Sequence, residues 1–264
     1  MWRKILVVLV VLCLAVVTFV LSKRDAPAKG GPGEIHVSCG AGLLKPMEEI
    51  GRQFEEEQGG KVQLHFGGSA VLMGNLAMGQ PCDVFMPGAA KYVEDALAKG
   101  LVVPGTRLDL ALHVPVIAVP EGNPAGIACL EDLAKPGVRV GLGDAKACAI
   151  GQAADLILER NGLADRVEPN VRLRTMTADQ LLLYVTMKQV DAAILWEDLT
   201  QWPAVKGKVR AVPIQPERNI ISTISAARAG RSSRPEAADR FIAFLHSERA
   251  QAVWREWGFR PCGE

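Results

Sequence analysis

No charge of one sign dominates this 264-residue chain, in which 30 lysines and arginines face 29 aspartates and glutamates. That balance excludes a basic face for nucleic acid and an acidic tail for solvation. The sequence also lacks a CxxC pair or a Cys/His cluster at structural-zinc spacing. It contains no nucleophile elbow, no phosphate-binding loop and no HExxH helix. The four histidines, His36, His65, His113 and His246, are scattered. Three of them fall in expected strands, where an imidazole is more often structural than a base. The nearest acidic pair, Glu197 and Asp198, reads as helix-start or hinge chemistry. With no assembled acid, base or nucleophile, the residues point away from an enzyme. No internal repeat is present.

What is present begins at the N-terminus, where Arg3 and Lys4 precede an apolar run over 5–21 before Ser22, Lys23, Arg24 and Asp25 restore polarity. Residues 1–24 have the form of an export signal. As a helix the run would extend about 25 Å, against about 30 Å for a hydrocarbon core, which leaves a cleaved signal peptide and a retained membrane anchor both open. The expected location is the periplasm or the outer face of the cytoplasmic membrane. DAPAKGGPG, residues 25–33, is too rich in proline and glycine to pack and reads as a flexible tether. Export would put Cys39, Cys82, Cys129, Cys148 and Cys262 where disulfides can form, and an odd number leaves at least one thiol outside any internal pairing. Cys82, Cys129 and Cys262 are the candidates for structural pairing.

Beyond the tether, short apolar strands alternate with amphipathic helices. The pattern predicts a strand at 35–39 and a helix at 44–58, with Met47, Ile50 and Phe54 at helical spacing. A strand at 62–66, a helix at 70–78, a strand at 83–86 and a helix at 90–99 follow. One long apolar strand over 110–119 leads to a second set, with a strand at 138–142, helices at 150–161 and 178–188, and a strand at 192–196. A strand at 220–226 returns to the first set, and helices at 235–246 and 248–257 close the chain. Such alternation builds α/β units, each a mostly parallel sheet flanked by helices. Two sets joined by extended crossovers near 111–119 and 213–225 give two lobes, 34–115 plus 218–264 and 116–217, each within the usual domain size.

In open α/β sheets the loops after strand C-terminal ends gather on one edge, where helices begin with free N–H groups and positive dipole ends. The candidate site is therefore made by loops 40–43, 67–70 and 87–89 in lobe one, and by 144–151, 175–178 and the segment after Trp196 in lobe two. Phe66-Gly67-Gly68-Ser69 is the most informative, because glycines allow close backbone approach and a serine hydroxyl donates to an oxyanion. The plain alternative is a strand-to-helix turn with Ser69 as its N-cap.

HVSCGAGLLKPMEEIGRQFEEEQGGKVQLHFGGSAVLMGNLAMGQPCDVFMPGAAKYVEDALAKG, LALHVPVIAVPEGNP, GVRVGLGDAKACAIGQAA, VDAAILWED and AVWREWGF together resemble the molybdate-binding proteins of bacterial ABC importers, in the type II periplasmic solute-binding superfamily. The resemblance covers nearly everything after the signal. It implies a type II periplasmic-binding-protein fold of two lobes and two hinge crossovers. It also implies capture of a tetrahedral oxyanion, molybdate or tungstate, in the interlobe cleft, delivery to an ABC importer permease, and no chemical transformation. A monomer is expected, with no cofactor, no metal beyond the oxyanion, and membrane contact only through the N-terminal segment. Another small anion, a thiophilic metal species, or a membrane-tethered sensor role stay open.

By position, the resemblance carries ligand binding to Gly42, Ser69, Ile150, Ala178 and Trp196. Only Ser69 keeps a hydroxyl: Gly42 stands where the family usually has serine, and Trp196 where it often has tyrosine, while Ile150 and Ala178 would act through backbone N–H groups. Each lost donor would cost about 1–3 kcal/mol if a ligand oxygen were left unpaired. The Trp196 indole can donate in place of a phenol, or serve as a core or hinge-side aromatic. Cys39 and Cys148 are possible cleft thiols, as a closure-sensitive disulfide or as soft donors, against the alternative of small residues that only pack.

Overall fold

In a computed structural model, residues 33–262 are described. The expected signal or anchor over 1–24, and all of the tether except Gly33, lie outside them. No helix among the described residues is long and apolar enough to cross a membrane.

The first lobe is built on β1 (Glu34–Gly40), β2 (Lys61–Gly67), β3 (Val84–Met86), β4 (Leu108–His113), β10 (Ser222–Arg228) and β11 (Arg260–Pro261). Their order across the sheet is β11-β4-β10-β3-β1-β2. The second lobe uses β5 (Pro115–Pro120), β6 (Val140–Gly143), β7 (Val171–Thr175), β8 (Ala192–Trp196) and β9 (Val209–Pro213), in the order β7-β6-β8-β5-β9. Helices α1 (Leu44–Gln58), α2 (Ser69–Ala77) and α3 (Ala90–Ala98) flank the first sheet with α7 (Pro235–Leu245) and α8 (Glu248–Glu256). Helices α4 (Ala149–Arg160), α5 (Ala164–Val167) and α6 (Ala178–Thr186) belong to the second.

Both sheets are mixed, which corrects the expectation of mostly parallel ones. The β1–β2 and β1–β3 pairs are parallel, as are β6–β7 and β6–β8, because a helix carries the chain back between strands. The strands that carry the chain between lobes enter without such a helix and pair antiparallel, β4 with β10 and β5 with β8 and β9. A second correction concerns residues 110–119, which are two strands in two different sheets, separated at Val114. Pro115, lacking an N–H, is the local reason the ladder does not run through. The chain returns over 214–221, and Asn219 ties the two crossovers together by donating from Nδ2 to the Pro115 carbonyl at 2.8 Å.

Lobe one buries the α1 face predicted from its spacing: Met47, Ile50 and Phe54 are all inside. Phe54 meets Phe241 edge-on at 5.0 Å between ring centroids, so the C-terminal helices seal the same core as the N-terminal ones. The five described cysteines are all free, so the expected pairing among Cys82, Cys129 and Cys262 does not occur. Cys82 is buried ahead of β3, Cys262 follows β11, and Cys129 is exposed in lobe two.

Candidate functional site

The loops at the C-terminal ends of β1, β2, β6 and β7 face one another across the lobes and enclose a cavity of about 20 Å³. Four helical starts meet there: the 3-10 turn Ala41–Leu43 leading into α1, then α2, α4 and α6. Their N-cap residues are Gly40, Gly68, Cys148 and Thr177, and none of these makes a side-chain cap hydrogen bond. Helices α3, α5 and α7, away from the cleft, also lack side-chain caps and among the described α-helices only α8 has one, from Ser247, so what marks the four starts is their convergence. Apart from the Ala70 N–H of α2, which the Ala147 carbonyl takes, these uncapped first turns bring N–H groups and positive dipole ends to one small volume, which is the backbone chemistry of an anion site.

Ser69 is buried in this wall, and its Oγ accepts the Gly88 N–H at 3.0 Å. With that lone pair occupied, the hydroxyl hydrogen is free to donate to a ligand. Gly42, Ile150, Ala178 and Trp196 also line the cavity, so all five positions carried over from the resemblance are brought together. Gly42 and Trp196 are direct neighbours: a Cβ on Gly42 would stand 3.6 Å from Trp196 Cδ1 and 3.7 Å from the Ala178 Cβ. Both distances are ordinary van der Waals contacts, so Gly42 and Trp196 pack side by side in the cavity wall.

The two thiols separate. Cys148 lines the cavity, with Sγ directed at the carbonyls of Asp144 (3.5 Å) and Thr175 (3.7 Å). Burial pushes its pKa up to about 11, so it is a packed neutral thiol and not a soft anionic donor. Cys39 lies instead in the lobe-one core, on the same buried face of β1 as Ile35 and Val37, where burial drives its thiol far above the ordinary range. A Cys39–Cys148 disulfide is not formed.

His113, absent from the sequence-predicted site, forms part of the cavity floor. It is the last residue of β4, and its ring stacks on Trp196 at 3.7 Å and 15°. Nδ1 lies 2.8 Å from the Gly88 carbonyl oxygen, and Nε2 lies 3.1 Å from Asp198 Oδ1. The second contact is close enough for an ion pair, but its angle does not make a hydrogen bond, and Asp198 Oδ2 has no partner. Nδ1 therefore has an acceptor in the Gly88 carbonyl, while Nε2 faces Asp198 without a hydrogen bond. Glu197, next in the chain to Trp196, is directed away to Arg260 at 2.6 Å. No lysine, arginine, aspartate or glutamate lines the cavity, so a bound anion would meet neutral donors and one imidazole. Among the described residues no group of three or more His, Cys, Asp or Glu is arranged to hold a metal ion.

The lobes touch directly beside this cavity. Ala70 N in α2 donates to the Ala147 carbonyl of lobe two at 3.1 Å. Gly68 lies so close that an added Cβ would stand 2.4 Å from Ala147 O and 2.6 Å from Met176 O.

Against known proteins, the family model described as bacterial extracellular solute-binding protein matches residues 35–260. The chain belongs to that family. Its members bind solutes and are not enzymes. A binding protein of Haemophilus influenzae is 29% identical over 248 residues, covering 94% of this chain and 98% of the relative. The molybdate-binding protein ModA of Mycobacterium tuberculosis is 26% identical over 243 residues, covering 90% of each. Among solved structures, the sulfate-binding protein SubI of M. tuberculosis superposes with a TM-score of 0.76 at 20% identity, covering 88% of each chain. The periplasmic molybdate-binding protein of Azotobacter vinelandii gives 0.70 at 18%, covering 85% of this chain and 98% of its own. These likenesses establish the two-lobed fold of type II periplasmic binding proteins.

Proposed function

We propose that this solute-binding protein captures a tetrahedral oxyanion, molybdate or tungstate, between its lobes and presents it to an ABC importer permease from outside the cytoplasmic membrane. The observation that carries the reading is the convergence of four uncapped helical starts and the Ser69 hydroxyl on one cavity without an acidic side chain. Neutral donors of this kind suit a dianion, because they stabilise charge without the desolvation cost of a buried cation. The ModA relatives support the molybdate branch.

Capture works by closure. The crossovers at Val114 and over 214–221 flex as hinges, and the lobe-one donors and lobe-two amides meet around the ion. About 20 Å³ is room for roughly one or two water-sized atoms. Admitting four ligand oxygens therefore takes a rearrangement of the lining side chains, with the lobe backbones still meeting at Ala70 and Ala147. The small cavity also favours a second reading, in which the cargo is a smaller tetrahedral ion such as sulfate, as named for the SubI structure.

A thermal-shift screen of molybdate, tungstate, sulfate and phosphate tests both. At one hundred times Kd a ligand stabilises by about 2.7 kcal/mol, which for a chain of this size raises Tm by about 5–10 °C. Such a shift with molybdate or tungstate supports the first reading, a shift with sulfate alone supports the second, and no shift with any of the four at millimolar concentration refutes both.

A further inference from the structure

Thr177 stands at the N-cap of α6, a position where threonine normally accepts an N–H from the first turn. Here it makes no cap bond, and its Oγ1 is shielded from solvent with no hydrogen-bond partner. The residue lines the interlobe cavity together with Ser69, Ala178 and Trp196. Its backbone is fixed from the other side, because Thr175 Oγ1 donates to the Thr177 carbonyl at 2.9 Å. The loop is thus held from the Thr175 side, and the Thr177 hydroxyl stays shielded and unpartnered in a residue that lines the cavity.

A buried hydroxyl without a partner is unfavourable, and it persists where another interaction or role compensates. We propose that Thr177 is a ligand-binding residue whose Oγ1 donates to an oxygen of the bound tetrahedral anion. It supplies from lobe two the hydroxyl that Gly42 and Trp196 no longer provide. The assignment rests on the oxyanion reading and deepens it: one hydroxyl from each lobe, Ser69 and Thr177, grips the ion, so neither lobe alone completes the donor set. Both are neutral groups able to donate to any tetrahedral oxyanion, and the spacing between them selects among ions of different size.

The test compares the wild-type protein with Thr177→Val, which keeps the shape and loses the hydroxyl, and with Thr177→Ser, which keeps the hydroxyl. Molybdate, tungstate and sulfate are titrated calorimetrically into each, and ligand-free melting is recorded. The proposal expects the valine variant to bind the preferred ion ten- to a hundredfold more weakly, with a ligand-free Tm equal to or above wild type. The serine variant should stay within about threefold of wild type. Valine binding within twofold of wild type overturns the assignment. So does a lowered ligand-free Tm in the valine variant accompanied by unchanged affinity, since that is the signature of a helix cap. If the wild-type protein takes up none of the three ions, the oxyanion reading itself fails and the assignment fails with it. Uptake by wild type with no loss in the valine variant removes Thr177 alone.

Discussion

Gly68→Ala separates closure from folding more cleanly than any change to a side-chain donor. Gly68 has φ −66° and ψ 140°, ordinary values for alanine, so the substitution adds no backbone strain within lobe one. It does add a Cβ 2.4 Å from Ala147 O and 2.6 Å from Met176 O, both main-chain atoms of lobe two. Real Cβ contacts essentially never fall below 3.0 Å, so the lobes must separate locally by roughly 0.6 Å. The Ala70 N to Ala147 O bond, 3.1 Å here, would stretch beyond hydrogen-bonding range. Losing it costs about 0.5–1.5 kcal/mol, and misaligning a ligand bond that spans the cleft costs a similar amount again. A total of about 1–3 kcal/mol corresponds to a roughly 5- to 150-fold weaker Kd. Without ligand the alanine also restricts the unfolded chain, which opposes any loss, so Tm should stay within about 3 °C. Isothermal titration with the preferred anion, paired with ligand-free melting, reads both quantities. Affinity within twofold of wild type would refute the reasoning, because it would mean that binding does not require these backbones to meet.

Ser69→Ala removes a ligand donor and the acceptor of Gly88 N, and should weaken anion binding about tenfold or more in the same titration. Restoring the family pattern with Gly42→Ser and Trp196→Tyr together should tighten molybdate binding by about tenfold, with less from either change alone, because the two sites are in contact. His113→Ala removes a fully buried ring stacked on Trp196 and leaves a cavity beside Asp198, and should destabilise the fold by about 2–4 kcal/mol in denaturant melts. Since burial holds the Cys148 thiol near pKa 11, about one molecule in a thousand carries the thiolate at pH 8. Alkylation of the native protein followed by peptide mapping should therefore mark exposed Cys129 long before Cys148, and the rate at Cys148 should rise as pH approaches 11.

Much of the fold is legible in hydrophobic period. Helix α1 and strand β8 fall where spacing and apolar run place them. Strands β7 and β9 are missing from the expected elements, although VRLRT carries the period-two alternation of a half-buried strand; VRAVP is short and closes on a proline. Their existence is decided by pairing to β6 and β5, which is tertiary information. The split of residues 110–119 was signalled by Pro115, since proline at a strand start often marks a break. The loops that form the cavity could be named from strand and helix order alone, but which side chains reach it could not. His113 meets Asp198 and Trp196 only because β4 ends where the lobes join, across more than eighty residues of chain. The misplacement of Cys39 had a readable cure: period-two alternation puts it on the same face as Ile35 and Val37, the core face.

Calorimetric titration of the purified protein with molybdate, tungstate and sulfate in parallel tests the central claim most directly. The account predicts saturable one-to-one binding of molybdate or tungstate at micromolar Kd or tighter, at least tenfold tighter than sulfate. Absence of saturable heat for all three ions at millimolar concentration would contradict it.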